Sequence, residues 1–159
     1  MFREMRLSKR KASDAEAERL LSEGVWGVLA VLGDGGYPYA VPLNYAYENG
    51  RIYFHCAKEG HKTDAIAENE KLSFCVVECA NVMPKEFTSL YRSVIAFGKG
   101  RVIEDEGERL RAIRLINAKY SPGLEEEGEE VIKRTWRRFD IVEIKVEHMT
   151  CKENNVKNE

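Results

Sequence analysis

The chain has 159 residues, enough for one domain and too few for two ordinary ones. With 43% hydrophobic and 33% charged residues it can bury a core, and 25 Lys+Arg against 27 Asp+Glu leave a formal charge of −2. That balance predicts no general attraction to nucleic acid or to an anionic membrane. No run approaches the ~18 consecutive apolar residues of a transmembrane helix. The opening Met-Phe-Arg-Glu-Met-Arg lacks the apolar stretch of a secretory signal. Cys56, Cys75, Cys79 and Cys151 have neither zinc-ligand spacing nor the density of a disulfide framework, so reduced thiols and a cytoplasmic protein are expected.

Residues 1–12 form a basic arm without periodicity, suited to staying mobile or to adding a strand to a partner. Ser13-Asp14-Ala15-Glu16 reads as a capping box. It opens a short helix with Ala17, Leu20 and Leu21 on one face and Gly24 as a left-handed stop. Val25–Leu32 reads as a strand, and Gly33-Asp34-Gly35-Gly36 as a turn. Tyr37–Tyr47 returns as a second strand, with Pro38 and Pro42 marking an edge or a bulge because neither donates to a ladder. After Glu48-Asn49-Gly50, Arg51–Cys56 makes a third strand, and the three are predicted to form an antiparallel meander.

His61–Asn69 has helical spacing, Leu72–Val77 is a fourth strand, and Ser93–Glu104 a fifth with a bend at Gly98 and Gly100. Asp105–Tyr120 is a helix closed by Ser121-Pro122-Gly123. The acidic run Glu125–Glu130 suits the solvated start of another helix through Trp136. Phe139–Val146 is the sixth strand, and its alternation changes phase between Ile141 and Val142, which predicts a bulge. Residues 152–159 are expected to fray. The fold expected is mainly β: one domain over 13–151, a closed or nearly closed barrel of about six antiparallel strands with peripheral helices.

The chemistry concentrates in His55-Cys56-Ala57-Lys58-Glu59-Gly60-His61-Lys62. A strand ends, Gly60 permits close approach of the main chain, and a helix opens with His61 and Lys62 in its first turn. Free helix-start amides with Lys62, and Lys58 as a second cation, suit a phosphate; a merely solvated pair of cations is the alternative. In Ala40–Tyr45 the amide of Asn44 stands among apolar residues. It suits either the heteroatoms of a flat heterocycle or a backbone group at a bulge. Ser93 is either a cavity-facing hydroxyl or a strand-edge one, and Trp136 either stacks on a ligand or joins the core. His55, His61 and His148 do not converge with further ligands, so no metal site is expected. With no triphosphate loop, dinucleotide fingerprint or nucleophile elbow, a bound cofactor is expected to carry any reactivity.

The order of these residues resembles the FMN-binding split-barrel family related to pyridoxamine 5′-phosphate oxidase, in its nitroimidazole-resistance-like branch. The likeness runs from about Met5 to about Cys151. It is carried by residues 27–66 and 91–106, above all by PLNY…IYFHCAKEGHK. The resemblance implies a split barrel that forms a homodimer with FMN in clefts at the subunit interface. In that picture Ala40, Val41, Pro42, Leu43, Asn44 and Tyr45 lie along the isoalloxazine and ribityl chain. His55, Cys56 and Ala57 stand at the strand end beside the ring, and Lys58, Gly60, His61 and Lys62 surround the phosphate. His61 stands where the oxidases have Arg, and Ser93 where the family has a Gln. The Arg- and His-bearing C-terminal segment of the oxidases has no counterpart in HMTCKENNVKNE, so oxidation of vitamin B6 phosphates is not expected. What the resemblance implies instead is an FMN-dependent oxidoreductase acting on nitro groups, with His55 as hydrogen-bond donor or general acid. The alternatives are a flavin carrier or sensor, and a haem-binding split barrel using His55 or His148.

Overall fold

The computed structural model describes residues 2–154, apart from the side chains of Cys79 and Ala80. Seven strands are formed: β1 (Gly27–Leu32), β2 (Pro38–Leu43), β3 (Ala46–Glu48), β4 (Arg51–Ala57), β5 (Lys71–Met83), β6 (Thr88–Val102) and β7 (Phe139–Asn154). Four helices accompany them: α1 (Asp14–Glu23), α2 (His61–Glu68), α3 (Glu106–Tyr120) and α4 (Glu125–Thr135). The sheet order is β2-β1-β5-β6-β7-β4-β3, with every neighbour antiparallel. β2 and β3 therefore lie at opposite edges, yet only Asn44 and Tyr45 connect them. A link that short curls the sheet so that its edges approach at this corner without pairing, which makes a split barrel. The expected three-strand meander is corrected: two hairpins, β1–β2 and β3–β4, sit at opposite edges, and the run Tyr37–Tyr47 breaks in its middle.

Alternation along the strands explains the two cores. Leu29, Val31, Ile52, Phe54, Phe74, Val76, Val94, Ala96, Val142 and Ile144 fill the barrel, plugged by Leu20 and Leu21 of α1 and by Ala65 and Ile66 of α2. On the outside, Ile113 and Ile116 of α3 and Ile132 of α4 cover Tyr53, Ile103 and Ile141. This two-sided burial accounts for the phase change at Ile141 and Val142. One faces out and the other in, both 0% exposed, and the ladder runs through them to His55 and Phe54 without a bulge. The irregularity falls instead between Phe97 and Gly98, where a Cβ on Gly98 would lie 2.3 Å from the Lys145 carbonyl oxygen.

Local signals mostly act as their chemistry requires. Ser13 Oγ accepts from the Glu16 N–H at 3.2 Å, but the Glu16 carboxylate pairs with Arg19 rather than turning back, so half of the capping box forms. Gly24 has φ −59°, not the left-handed value expected. It is required because a Cβ there would come within 2.6–2.8 Å of the Val76 side chain, the Tyr45 hydroxyl and the Leu20 carbonyl. The basic arm packs on its own chain: Lys11 bridges to Lys152, the Ala12 N–H donates to the Cys151 carbonyl at 3.0 Å, and Phe2 stacks on His148 at 4.6 Å. β7 extends to Asn154 opposite Tyr91, so residues 152–154 are strand rather than frayed, and residues 155–159 lie outside the described residues. Cys56 and Cys151 are buried, Cys75 is half-buried, and all three are unbridged. Among the described residues no helix is long and apolar enough to cross a membrane.

Candidate functional site

The barrel is open along one seam. β2 pairs only with β1 among the described residues, and β3 covers β4 only from Arg51 to Tyr53. The free edge of β2 and the edge of β4 beyond Tyr53 that faces away from β7 therefore lack ladder partners. Continuing the β3–β4 register would set Asn44 opposite His55 and Pro42 opposite Ala57, but the pairing stops at Ala46 and Tyr53. The Asn44–Tyr45 corner bounds one end of this slot. At the other, His61 of α2 stacks on Tyr39 of β2, ring centroids 4.1 Å apart.

The strand-to-helix end of the slot carries Lys58 and Lys62, with Glu59 and Asp64 beside them in sequence. Gly60 caps α2 at φ 141°, a conformation that favours glycine, and its carbonyl accepts the N–H groups of Thr63 (3.0 Å) and Asp64 (3.1 Å) and the Thr63 hydroxyl (2.6 Å). The amides of His61 and Lys62 have no protein partner among the described residues, as expected for the first turn of a helix. Lys58 and Lys62 form no ion pair among them either. Burial pushes the Cys56 thiol pKa up, and the Lys62 ammonium opposes that rise, which puts the ammonium within electrostatic range of the strand end. An oxyanion at the start of α2 would meet two backbone donors and the Lys62 ammonium.

His61 departs from the expected basic pair. Its Nε2 accepts the Asp34 N–H at 3.2 Å and lies 3.7 Å from Asp34 Oδ1, so the ring is turned into the β1–β2 turn rather than toward a phosphate. The other expected site residues divide by strand parity. Ala40, Pro42, His55 and Ala57 face outward, while Val41, Leu43 and Cys56 pack into the barrel. Asn44 lies between strands, and its Nδ2 donates to the Val25 carbonyl at 3.0 Å. Tyr45 is 0% exposed, edge-on to Phe74 at 4.8 Å, so its side chain cannot line the slot. Ser93 sits on β6, three strands from β2, paired with Val77 and Lys152, and a single chain does not bring it to the slot.

His55 presents its ring beside the edge of Phe139, centroids 6.3 Å apart, and the protein packed around it lowers its pKa, favouring the neutral imidazole. Trp136 packs under a different arginine from those beside it in sequence. The Arg109 guanidinium lies 4.3 Å from its ring centre and donates to the carbonyls of Trp136 (3.3 Å) and Phe139 (2.9 Å), whereas Arg137 and Arg138 are exposed. Tyr39, Arg109 and Tyr120, which hold the surroundings of the slot, carry no motif of their own. Only the folded chain brings them to their partners.

The outward face of the sheet bordering the slot is apolar. Pro42, Val28, Cys75 and Ile95 align across β2, β1, β5 and β6, and Ala40, Ala30, Ser73 and Phe97 form the next row. Val28 and Ile95 are each 40% exposed and Val77 is 59% exposed.

Comparison with known proteins agrees with this architecture. A family model described as pyridoxamine 5′-phosphate oxidase matches residues 13–153. A search of the curated proteins found no match. Among solved structures, a candidate 5-nitroimidazole antibiotic resistance protein from Bacteroides thetaiotaomicron is 21% identical over 89% of this chain and 84% of its own, with a TM-score of 0.75. A FAD-binding protein from Mesorhizobium loti is 24% identical over 91% of this chain and 95% of its own, with a TM-score of 0.63. A FAD- and haem-binding protein from Mycobacterium smegmatis is 20% identical over 93% of this chain and 74% of its own, with a TM-score of 0.79. At these identities the structures share the fold. Since the family match takes in every strand of the split barrel, the chain belongs to the pyridoxamine 5′-phosphate oxidase family.

Proposed function

We propose that the chain is a cytoplasmic, FMN-dependent oxidoreductase of the nitro-reducing kind, acting as a homodimer with the flavin in the slot between β2 and β4. The observation that carries this reading is that, among the described residues, Lys62 has no ion pair and stands beside two unpartnered amides at the start of α2, at the end of two unpaired strand edges. The donor set fits the group. Lys62 and Lys58 offset the charge of a phosphate dianion, and the amides of His61 and Lys62 supply directed donors. The free edges of β2 and β4 offer N–H and C=O groups to ring heteroatoms. Bound FMN would supply hydride or single-electron transfer. His55, facing outward at the strand end and held toward the neutral imidazole by the burial that lowers its pKa, has one ring N–H to donate to a substrate oxygen.

Two further observations support the dimer. The apolar outward face borders the slot, and Ser93 lies on that same face, where only a second copy would bring it to a flavin. The names of the solved relatives, a nitroimidazole-resistance candidate and FAD-binding proteins, are in keeping with a flavin and with nitro compounds as oxidants. A haem reading has one observation in its favour: His148 Nε2 is buried with no hydrogen-bond partner among the described residues, although Phe2 stacks on that ring. Spectra separate the two, since a flavoprotein is yellow and a haem protein shows a Soret band. Under anaerobic conditions NADH or NADPH should bleach the flavin of the loaded protein, and a nitroaromatic should restore it. Flavin uptake with neither bleaching nor reoxidation would leave a carrier, and failure to take up any flavin would overturn the reading.

A further inference from the structure

One hydroxyl gathers the corner that joins the two edges of the sheet. Tyr120, the last residue of α3, accepts the Tyr45 N–H at 3.0 Å and stands 2.8 Å from the carbonyl oxygens of both Tyr45 and Val25. A single hydroxyl proton serves one carbonyl at a time, and Asn44 Nδ2 also donates to the Val25 oxygen, at 3.0 Å. Beside it, Lys119 Nζ donates to the Gly24 carbonyl at 2.7 Å and lies 4.1 Å from the centre of the Tyr45 ring. Three segments distant in sequence, Gly24-Val25, Asn44-Tyr45 and the end of α3, thus meet at one side chain. The same corner is where the β3–β4 ladder stops and the slot begins.

We infer that Tyr120 is a positioning residue for the slot: its hydroxyl fixes Asn44-Tyr45 and thereby sets the distance between β2 and the His55–Ala57 end of β4. The inference rests on the flavin reading of that slot. Without the hydroxyl, the Tyr45 N–H and C=O lose their shared partner in a corner that is otherwise packed, and the backbone must find another arrangement. The corner is then free to shift, and the spacing between β2 and the end of β4 shifts with it.

Tyr120→Phe tests this, with Ile132→Val in the α4 core as a control that removes only a buried methylene. Amide hydrogen exchange is measured on the flavin-free protein, and FMN is titrated below the melting temperature of each variant. The expected result has two parts. Tyr120→Phe changes exchange at 44–45 and 54–57, and it weakens FMN binding about tenfold with a shifted visible band. Ile132→Val does neither. Lys119→Met, which loosens the same corner from the Gly24 side, gives a smaller change at the same amides and serves if Tyr120→Phe does not fold. Unchanged exchange at 44–45 and 54–57 would overturn the inference. So would wild-type FMN affinity in a protein whose exchange had changed. If the wild-type chain takes up no FMN, the flavin reading fails, and exchange at 54–57 alone decides whether Tyr120 sets the slot.

Discussion

The imidazole of His61 lies 4.1 Å from the ring of Tyr39, centroid to centroid, and a hydrogen bond from the Asp34 N–H to its Nε2 completes its capture by the β1–β2 hairpin. The first residue of α2 is therefore a fastener between the helix and the edge of the sheet. His61→Ala should cost about 1 kcal/mol of stability, from one stacked pair and one hydrogen bond. The same variant should leave FMN affinity within about threefold, a change below ~0.7 kcal/mol. Urea unfolding and a fluorescence titration check both parts. A large loss of FMN affinity at unchanged stability would return His61 to the phosphate.

The apolar outward rows predict an assembly that a single charge disrupts. Ile95 pairs with Cys75, which pairs with Val28, and all three point out of the barrel. Ile95→Lys should convert the dimer to a monomer, because an unpaired ammonium would be buried in the interface. Flavin content should fall with it. Light scattering with the visible spectrum reads both, and a wild-type monomer carrying a full complement of flavin would contradict the interface site.

Burial pushes the Lys119 ammonium down to about 8, from an ordinary value of 10.5. Between those values the unfolded chain binds more protons than the native one, so stability rises with pH across that window. Tyr45, which burial raises above its usual range, titrates later and acts in the opposite sense. The cleanest measure is the difference in unfolding free energy between wild type and Lys119→Met. It should move in favour of the wild type from pH 8 to pH 10 and stay level from pH 6 to pH 7. A difference that is flat or falls above pH 8 would contradict a desolvated ammonium at the corner.

Much of the molecule was legible where the forces are local. The Gly33–Gly36 turn, the prolines that suit β2 to an edge and the Ser13 half of the capping box depend on neighbours a few residues away, and each forms as expected. The strand order was not legible, because the pairing of β1 with β5 and of β4 with β7 is decided by partners far along the chain. The phase change at Ile141 and Val142 suggested a bulge because helix burial on the second face of β7 leaves no mark in a single strand. The polar end of β7 looked frayed, yet β6 is long enough to hold it. In the site, Lys62 and Gly60 could be singled out from the strand-turn-helix pattern. The capture of His61 could not, since its partner Asp34 is 27 residues away.

The central claim is that Lys62 and the first amides of α2 grip a phosphate, and comparing FMN with riboflavin tests it most directly. Both ligands present the same ring to the slot, so the ratio of their affinities isolates the phosphate. In the wild-type chain FMN should bind much the tighter. In Lys62→Ala, FMN affinity should fall by about 1–3 kcal/mol while riboflavin is little affected. Equal affinities for FMN and riboflavin in the wild-type chain, or an FMN affinity untouched by Lys62→Ala, would contradict the account.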